Sequence, residues 1–295
     1  MRLHVPEPVV MGVVNVTPDS FSDGGAWLAP DVAIAHGREL VAQGAAILDV
    51  GGESTRPGAD PVSSREELRR VLPVLEGLAG AGARLSIDTS KAPVAAAALD
   101  AGASIVNDVT ALRGDPEMAA LVAERGCGCC LMHMLGEPRT MQRAPAYDDV
   151  VADVKAFLAA RLRHAVERGI AEERLWVDPG IGFGKTIDHN LELLRRLDEL
   201  LELGRPIVVG TSRKSFLGTI TGRGAGERVP GTIATNVLAL ANGASVFRVH
   251  DVAEACDALA VAAATLRGRW APATTTSTNR SMTTTTTTRS ASRPS

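Results

Sequence analysis

Aromatic side chains are scarce in this 295-residue chain: phenylalanine, tryptophan and tyrosine make up 3% of it, and there is one tyrosine. That scarcity removes the stacking platform on which nucleobases would lie. A net charge of −3 likewise gives no electrostatic pull toward nucleic acid. No apolar run is long enough for a membrane span, and the stretch from Met1 to Pro8 does not read as a signal peptide. The expectation is a cytoplasmic protein with neither nucleic acid nor membrane as a partner. Cysteines number four, and Cys127, Cys129 and Cys130 crowd into one short apolar segment, away from Cys256. That spacing suits neither a disulfide framework nor a paired metal site. They read as small buried hydrophobes in a reducing compartment.

What is abundant is aliphatic. Hydrophobic residues make up 45% of the chain, so the core is built from Ala, Val, Leu and Ile, the set that fills parallel sheets covered by helices. Short β-branched runs at 9–15, 46–50, 84–88, 104–108, 129–133, 175–178, 206–210 and 245–250 alternate with longer Ala- and Leu-rich stretches such as 150–168 and 187–203. Strand–helix alternation predicts a parallel sheet, and about eight repeats favour a single (β/α)₈ TIM barrel, α/β in class, over residues 1–270. An open sheet with an extra helical subdomain is the alternative. From Ala271 to Ser295 the chain is mostly Thr, Ser, Arg and Asn. Such a segment buries too little apolar surface to offset its ordering entropy, so a disordered tail is expected after a last helix closed by Trp270.

Polar residues gather at the C-terminal ends of the strand segments. Asn15, Asp49, Asp88, Asn107, Asp108, His133 and Asp178 end six of them; Ser212, Arg213 and Lys214 follow the seventh, and Arg248, His250 and Asp251 close the eighth. In barrel enzymes this rim carries the catalytic groups. Any one of these residues alone reads more readily as a helix cap, but nearly every strand ending this way, bulky cations included, reads as a site. Arg56, Arg248 and His250 are charge-assisted donors suited to phosphate oxygens. The segment from Pro179 to Thr186 (PGIGFGKT) looks like a phosphate loop, yet Pro179 stands where the Walker pattern needs its first glycine. ATPase or GTPase chemistry is therefore excluded, and the glycines read as a tight turn beside a flat ligand. Asp88, Asn107, Asp178 and Lys214 match the edge of a planar polar heterocycle; an internal Asp–Lys ion pair bracing the barrel is the competing reading. The polar segment 17–29, with Asp19, Phe21 and Asp23 before Gly24-Gly25, reads as a loop closing over bound ligand.

These motifs resemble those of the dihydropteroate synthases. The run from Met11 to Gly25 (MGVVNVTPDSFSDGG) looks like their opening signature, and Asp49 to Gly58 (DVGGESTRPG) like their second. Further matches are Ser86-Ile87-Asp88-Thr89, Val106-Asn107-Asp108, Asp178 to Lys185, Ser212 to Gly218, and Arg248-Val249-His250-Asp251. They span nearly the whole barrel in family order. Two features depart from the pattern: the first strand comes almost at once, where many relatives begin with a hairpin, and the tail has no counterpart.

The resemblance implies a folate-pathway transferase that joins 6-hydroxymethyl-7,8-dihydropterin diphosphate to p-aminobenzoate, giving 7,8-dihydropteroate and diphosphate. Asp88, Asn107, Asp178 and Lys214 would hold the pterin, with Phe183 and Met132 lining its pocket. Arg56, Arg248 and His250 would grip the diphosphate, and Asn15 would bind Mg²⁺. Thr55, Pro57 and Ser215 would border p-aminobenzoate beneath the 17–25 loop, with Phe21 and Val249 as further substrate contacts. The catalytic set would be Asp88, Lys214, Arg56, Asp19 and Asp23. The family also implies a homodimer through barrel helices far from the site, and sensitivity to sulfonamides. A pterin-dependent methyltransferase would have no use for Asp19, Phe21 and Ser215. A silent pterin-binding paralogue stays open.

Overall fold

The computed structural model describes residues 5–17, 30–56 and 58–270. Eight parallel strands, β1 (Val9–Asn15), β2 (Ile47–Gly51), β3 (Arg84–Asp88), β4 (Ile105–Asp108), β5 (Gly128–Met132), β6 (Leu175–Asp178), β7 (Val208–Val209) and β8 (Val246–Val249), form one sheet in the order β6-β5-β4-β3-β2-β1-β8-β7. A lone bridge between Val177 and Ile207 joins its two ends and nearly closes the cylinder. The main helices between and after the strands are α1 (Pro30–Ala42), α2 (Ser64–Leu78), α3 (Ala92–Asp100), α4 (Met118–Arg125), α5 (Val150–Glu167), α6 (Ile187–Arg195), α7 (Ser215–Thr221), α8 (Val229–Ala241) and α9 (Val252–Arg267). This is a TIM barrel, as the alternation of the sequence predicts.

Strand parity explains where the site lies. Every residue of β2 and β5 is buried, because one face meets the helices and the other the barrel lumen. Leu48, Val50, Leu85, Ile87, Val106, Leu131, Val177, Phe247 and Val249 face outward into the shell packed beneath the helices. Residues of the other parity face in: Met11, Ile47, Ile105, Cys130, Val208 and Val246 form an apolar plug in the lumen. Two residues further along, the same parity delivers Asp49, Asn107, Met132 and Arg248, so the lumen turns polar toward the C-terminal rim. The plug thus fills the lower barrel and the upper barrel is left for ligand.

Three details differ from the sequence-based boundaries. The seventh strand, expected over 206–210, shrinks to two ladder residues, because Pro206 has no N–H to donate and only one bridge forms toward β6. The helix expected over 187–203 breaks at Arg196 into α6 and a 3₁₀ segment, Leu197–Leu203. There Asn242 donates its amide to Leu194 O at 2.8 Å, taking a carbonyl that a continuous helix would use. The last helix ends at Gly268 in left-handed geometry (φ 65°), and Trp270 lies beyond it, 77% exposed. From the last turn of the same helix, Arg267 reaches back to Pro6 O at 2.8 Å and ties residues 5–6 to α9. The tail expected over 271–295 lies outside the described residues.

Candidate active site at the barrel rim

The polar lumen is organised by Asp49, which is fully buried on β2. Its carboxylate accepts from Ser86 Oγ (2.6 Å), Asn107 Nδ2 (3.0 Å) and Arg248 Nε (2.6 Å). Arg248 also donates from its terminal nitrogen to Asp88 Oδ2 at 2.7 Å, so one guanidinium bridges two carboxylates. Burial opposes its charge, yet Asp49 and Asp88 hold it above its usual range. Asp88 is pushed up to about 7, first by burial and then by the charges of Asp49, Glu67 and Asp108, against the pull of Arg248.

Three rim residues each leave one side-chain oxygen without a partner among the described residues. Asp88 is 8% exposed, Asn107 6% and Asp178 6%. Asp88 engages only its Oδ2, Asn107 only its amide nitrogen, and Asp178 only its Oδ1, which accepts from Gly180 N at 2.7 Å. Asp88 Oδ1, Asn107 Oδ1 and Asp178 Oδ2 take no hydrogen bond from any described residue. These three acceptors keep a little exposure toward the rim, where the N–H groups of a ligand would satisfy them.

The turn after β6 carries the matching donor. Gly180, Gly182 and Gly184 have φ of 66°, 84° and 64°, which glycine adopts at little cost. These alternate with ordinary residues, so successive carbonyls point to opposite sides. Ile181 O accepts from the Lys214 ammonium and Phe183 O from Lys185 Nζ at 3.0 Å. On the other side Gly182 O accepts from Gln142 and Gly184 O from the Tyr147 hydroxyl, at 2.6 and 2.7 Å. The N–H groups of Gly180 and Gly182 are taken by Asp178 and Asn190. A turn whose carbonyls face ammonium groups and whose amides are occupied is no phosphate cradle, as its departure from the Walker pattern implies. Lys214 lies 4.4 Å from the centre of the Phe183 ring, and burial pushes it down to about 8 while Asp178 partly restores it. Phe183 packs with Met132, Val109, Met134 and Met141, an apolar wall beside the free acceptors.

The Asp–Lys brace considered from sequence is not among the described ion pairs: Asp88 pairs with Arg248, and Lys214 bonds a backbone carbonyl. Nor do these rim residues supply side-chain caps: Lys214 and Asp251 stand at the N-caps of α7 and α9 without a side-chain cap bond, and the N-cap residues whose own side chains accept are Ser63, Asp149 and Thr186. On the far side of Arg248, His250 Nδ1 lies 2.9 Å from Ser212 Oγ. Burial, then the charges of Arg248, Arg213 and Arg56, push His250 down to about 4, with Asp251 opposing. Arg56 thus belongs to the same cationic corner, exposed at the end of its loop.

Of the residues expected at the site, Asp88, Asn107, Met132, Asp178, Phe183, Lys214, Arg248 and His250 are brought together by these contacts. Asn15 ends β1 facing the lumen, half-buried; Thr55 is half-buried and Ser215 exposed at the start of α7. Val249 is fully buried with its side chain in the outer shell, so only its backbone borders the rim. Asp19, Phe21, Asp23 and Pro57 lie outside the described residues. Sequence reading assigned no role to the Asp49 hub, to Lys185 with its partner His133 (2.9 Å), or to Lys91, which bridges Glu53 and the fully buried Glu67 at 2.7 and 2.6 Å. The first was legible: Asp49 shares strand parity with Ile47 on β2.

Asn15 is the rim residue whose donor chemistry would suit a magnesium ion. No group of three or more His, Cys, Asp or Glu among the described residues is placed to hold a metal. Mg²⁺ bound to diphosphate needs few protein ligands, and oxygen is what it prefers. The Asn15 side-chain amide has no partner among the described residues, which leaves its oxygen available.

Fold and rim together define a barrel enzyme that takes a flat nitrogen heterocycle at one end of its mouth and an anionic group at the other. The chain matches the family model for pterin binding enzymes over residues 11–250. It is 46% identical over 268 residues to the dihydropteroate synthase of Escherichia coli (strain K12), covering 90% of this chain and 95% of that one. It superposes on the Xanthomonas albilineans dihydropteroate synthase solved with 4-aminobenzoic acid (TM-score 0.82, 50% identity, 87% of this chain and 92% of that one). It also superposes on the Yersinia pestis dihydropteroate synthase in complex with a sulfonamide drug (TM-score 0.85, 44% identity, 90% and 97%). The chain belongs to the pterin binding enzyme family.

Proposed function

We propose that this transferase joins 6-hydroxymethyl-7,8-dihydropterin diphosphate to p-aminobenzoate, releasing diphosphate and forming 7,8-dihydropteroate. The observation that carries the reading is the set of three acceptors, on Asp88, Asn107 and Asp178, left without donors among the described residues and gathered in the same polar mouth as the Lys214 ammonium. A pterin edge presents ring N–H and amino donors together with acceptors for an ammonium, and satisfies all four at once. Phe183 and Met132 cover its faces.

The pterin's methylene–oxygen bond breaks as the electron pair leaves with diphosphate. The aniline nitrogen of p-aminobenzoate forms the new bond to that carbon and loses one proton. The protein supplies no nucleophile. Arg56, Arg248 and His250 spread the charge that gathers on the leaving group. Asp88, ionised, favours the positive charge that builds on the pterin as the bond loosens. Asn15 would hold Mg²⁺ through its side-chain oxygen, and that ion would add further charge neutralisation at the diphosphate. Thr55, Pro57 and Ser215 border p-aminobenzoate, and the loop bearing Asp19, Phe21 and Asp23 completes the site above it.

A homodimer is part of the same reading: α9 turns Val261 (68% exposed) and Leu266 (44%) outward around an apolar recess that Val237 and Ala241 of α8 also line. So is a cytoplasmic setting, supported by four cysteines that stay free thiols. No helix among the described residues is long and apolar enough to cross a membrane.

The test is diphosphate release by purified protein from the pterin diphosphate with Mg²⁺, with and without p-aminobenzoate. Release that requires p-aminobenzoate and disappears in Lys214→Ala is the expected outcome. Pterin binding without turnover would instead leave the silent paralogue.

A further inference from the structure

Ser212 and His250 sit at the ends of neighbouring strands and contact each other twice. The backbone N–H of His250 donates to Ser212 Oγ at 3.1 Å, and the same oxygen lies 2.9 Å from His250 Nδ1. A serine oxygen has one hydrogen and two lone pairs. If Nδ1 carried the proton, Oγ would accept twice and its own hydrogen would have no acceptor among the described residues. If Nδ1 is bare, Oγ accepts from the backbone and donates to the ring, and every group is satisfied. The second arrangement wins because Ser212 is 8% exposed, where an unmade hydrogen bond is costly.

The turn that presents Ser212 is held just as firmly. Arg213 adopts φ 56°, uncommon for a residue with a side chain. Its guanidinium makes two bonds to Asp251, the residue after His250, with Nε at 3.0 Å. Its backbone N–H donates to Thr232 Oγ1 at 3.1 Å, and its carbonyl accepts from Arg228 at 2.9 Å. The turns after β7 and β8 are thus locked to one another, side chain to side chain, at two successive positions. A strained residue held by four contacts points to a geometry worth keeping.

We infer that Ser212 is a positioning residue whose hydroxyl fixes His250 in the tautomer protonated at Nε2, so that this N–H serves as a donor to the substrate's diphosphate. The inference rests on the reading that this cationic corner takes the diphosphate. His250 Nε2 has no partner among the described residues, which leaves its proton for an anion. A neutral donor suits this position, since Arg56, Arg213 and Arg248 already supply positive charge around the ring and disfavour a further cation. Without the Ser212 hydroxyl the ring is free to take the other tautomer and present a lone pair to phosphate oxygens.

Two measurements test this on the full-length protein. In protein labelled with ¹⁵N at histidine, with His250→Gln identifying the resonances, His250 should show a bare Nδ1 and a protonated Nε2. The second is titration with inorganic diphosphate and Mg²⁺ of the wild type, Ser212→Ala, His250→Gln and the double variant. Ser212→Ala should weaken binding about 10-fold, the loss expected when one charge-assisted hydrogen bond is misdirected. The double variant should bind no more weakly than His250→Gln alone, and the KM for p-aminobenzoate should stay unchanged in Ser212→Ala. A protonated Nδ1 in a wild type that binds diphosphate, or losses that add in the double variant, would overturn the inference alone. A wild type with no affinity for diphosphate would remove the reading of this corner and the inference with it.

Discussion

The rate of the proposed reaction should pass through a narrow maximum between pH 7 and 8. Asp88 is pushed up to about 7 and Lys214 down to about 8. The productive form needs an ionised Asp88 to favour a positive pterin and a protonated Lys214 to donate. Activity therefore rises with pH as Asp88 loses its proton and falls as Lys214 loses its own. With limbs at those values the productive fraction is about 60% at pH 7.5 and about 9% at pH 6 or 9, a drop of roughly sevenfold on either side. The sign for the fold runs the other way. Asp88 lies above its ordinary 3.8, so its contribution to stability is full below that pH and is lost as pH rises through 7. Lys214 lies below its ordinary 10.5, so its contribution is full above that pH and is lost as pH falls through 8. The doubly charged productive form, with Asp88 ionised and Lys214 protonated, is thus the one the empty site tolerates least. The assay is kcat/KM for the pterin diphosphate between pH 5.5 and 9.5 at saturating p-aminobenzoate. Lys214→Arg should lose the basic limb, since a guanidinium keeps its proton throughout. Asp88→Asn should lose the acidic limb together with most of the turnover. An acidic limb that survives in Asp88→Asn belongs to the substrate's terminal phosphate, which titrates near ~6. A profile flat from pH 6 to 9 in the wild type would refute the reasoning.

Lys91→Met should lower stability by about 3 kcal/mol, because it leaves the buried Glu67 carboxylate without its cation; Lys91→Arg should recover most of this, and a denaturant midpoint unchanged in Lys91→Met would count against it. Gly182→Ala places a methyl 2.9 Å from Lys214 Cδ at φ 84°, so turnover should fall at least about 10-fold on top of a backbone cost of about 1 kcal/mol. Gly204→Ala, at φ 66° with nothing within 4 Å, should show the backbone cost alone, and equal activity losses in the two would sink the idea. A sulfonamide should inhibit turnover competitively against p-aminobenzoate; turnover untouched by sub-millimolar drug would contradict that.

The barrel was legible because parallel strands buried on both faces leave runs such as Val9–Asn15 that need no tertiary context to be recognised. Strand ends were legible to within a residue or two wherever a polar residue marked the rim. They failed at Pro206, where a missing donor rather than side-chain pattern shortens the ladder. The break at Arg196 depends on Asn242, 46 positions away in the chain (242 − 196), which no local pattern announces. At the site, composition left Asp88 and Lys214 open between a brace and a ligand pair. Only geometry separates these, by giving Asp88 to Arg248 and Lys214 to a carbonyl. The role of Ser212 was illegible for the same reason, since its partner lies 38 positions on.

The barrel's weakest join is between β6 and β7, where a single bridge stands in for a ladder. Directly above it, Lys214 on the β7 side grasps Ile181 on the β6 side. The lysine proposed to hold the ring is therefore also a tie across the open seam. Natural variation cannot retune one duty without disturbing the other. On that proposal, a substitution of Lys214 removes a tie across the seam together with a pterin contact, so it should be read for stability as well as for binding.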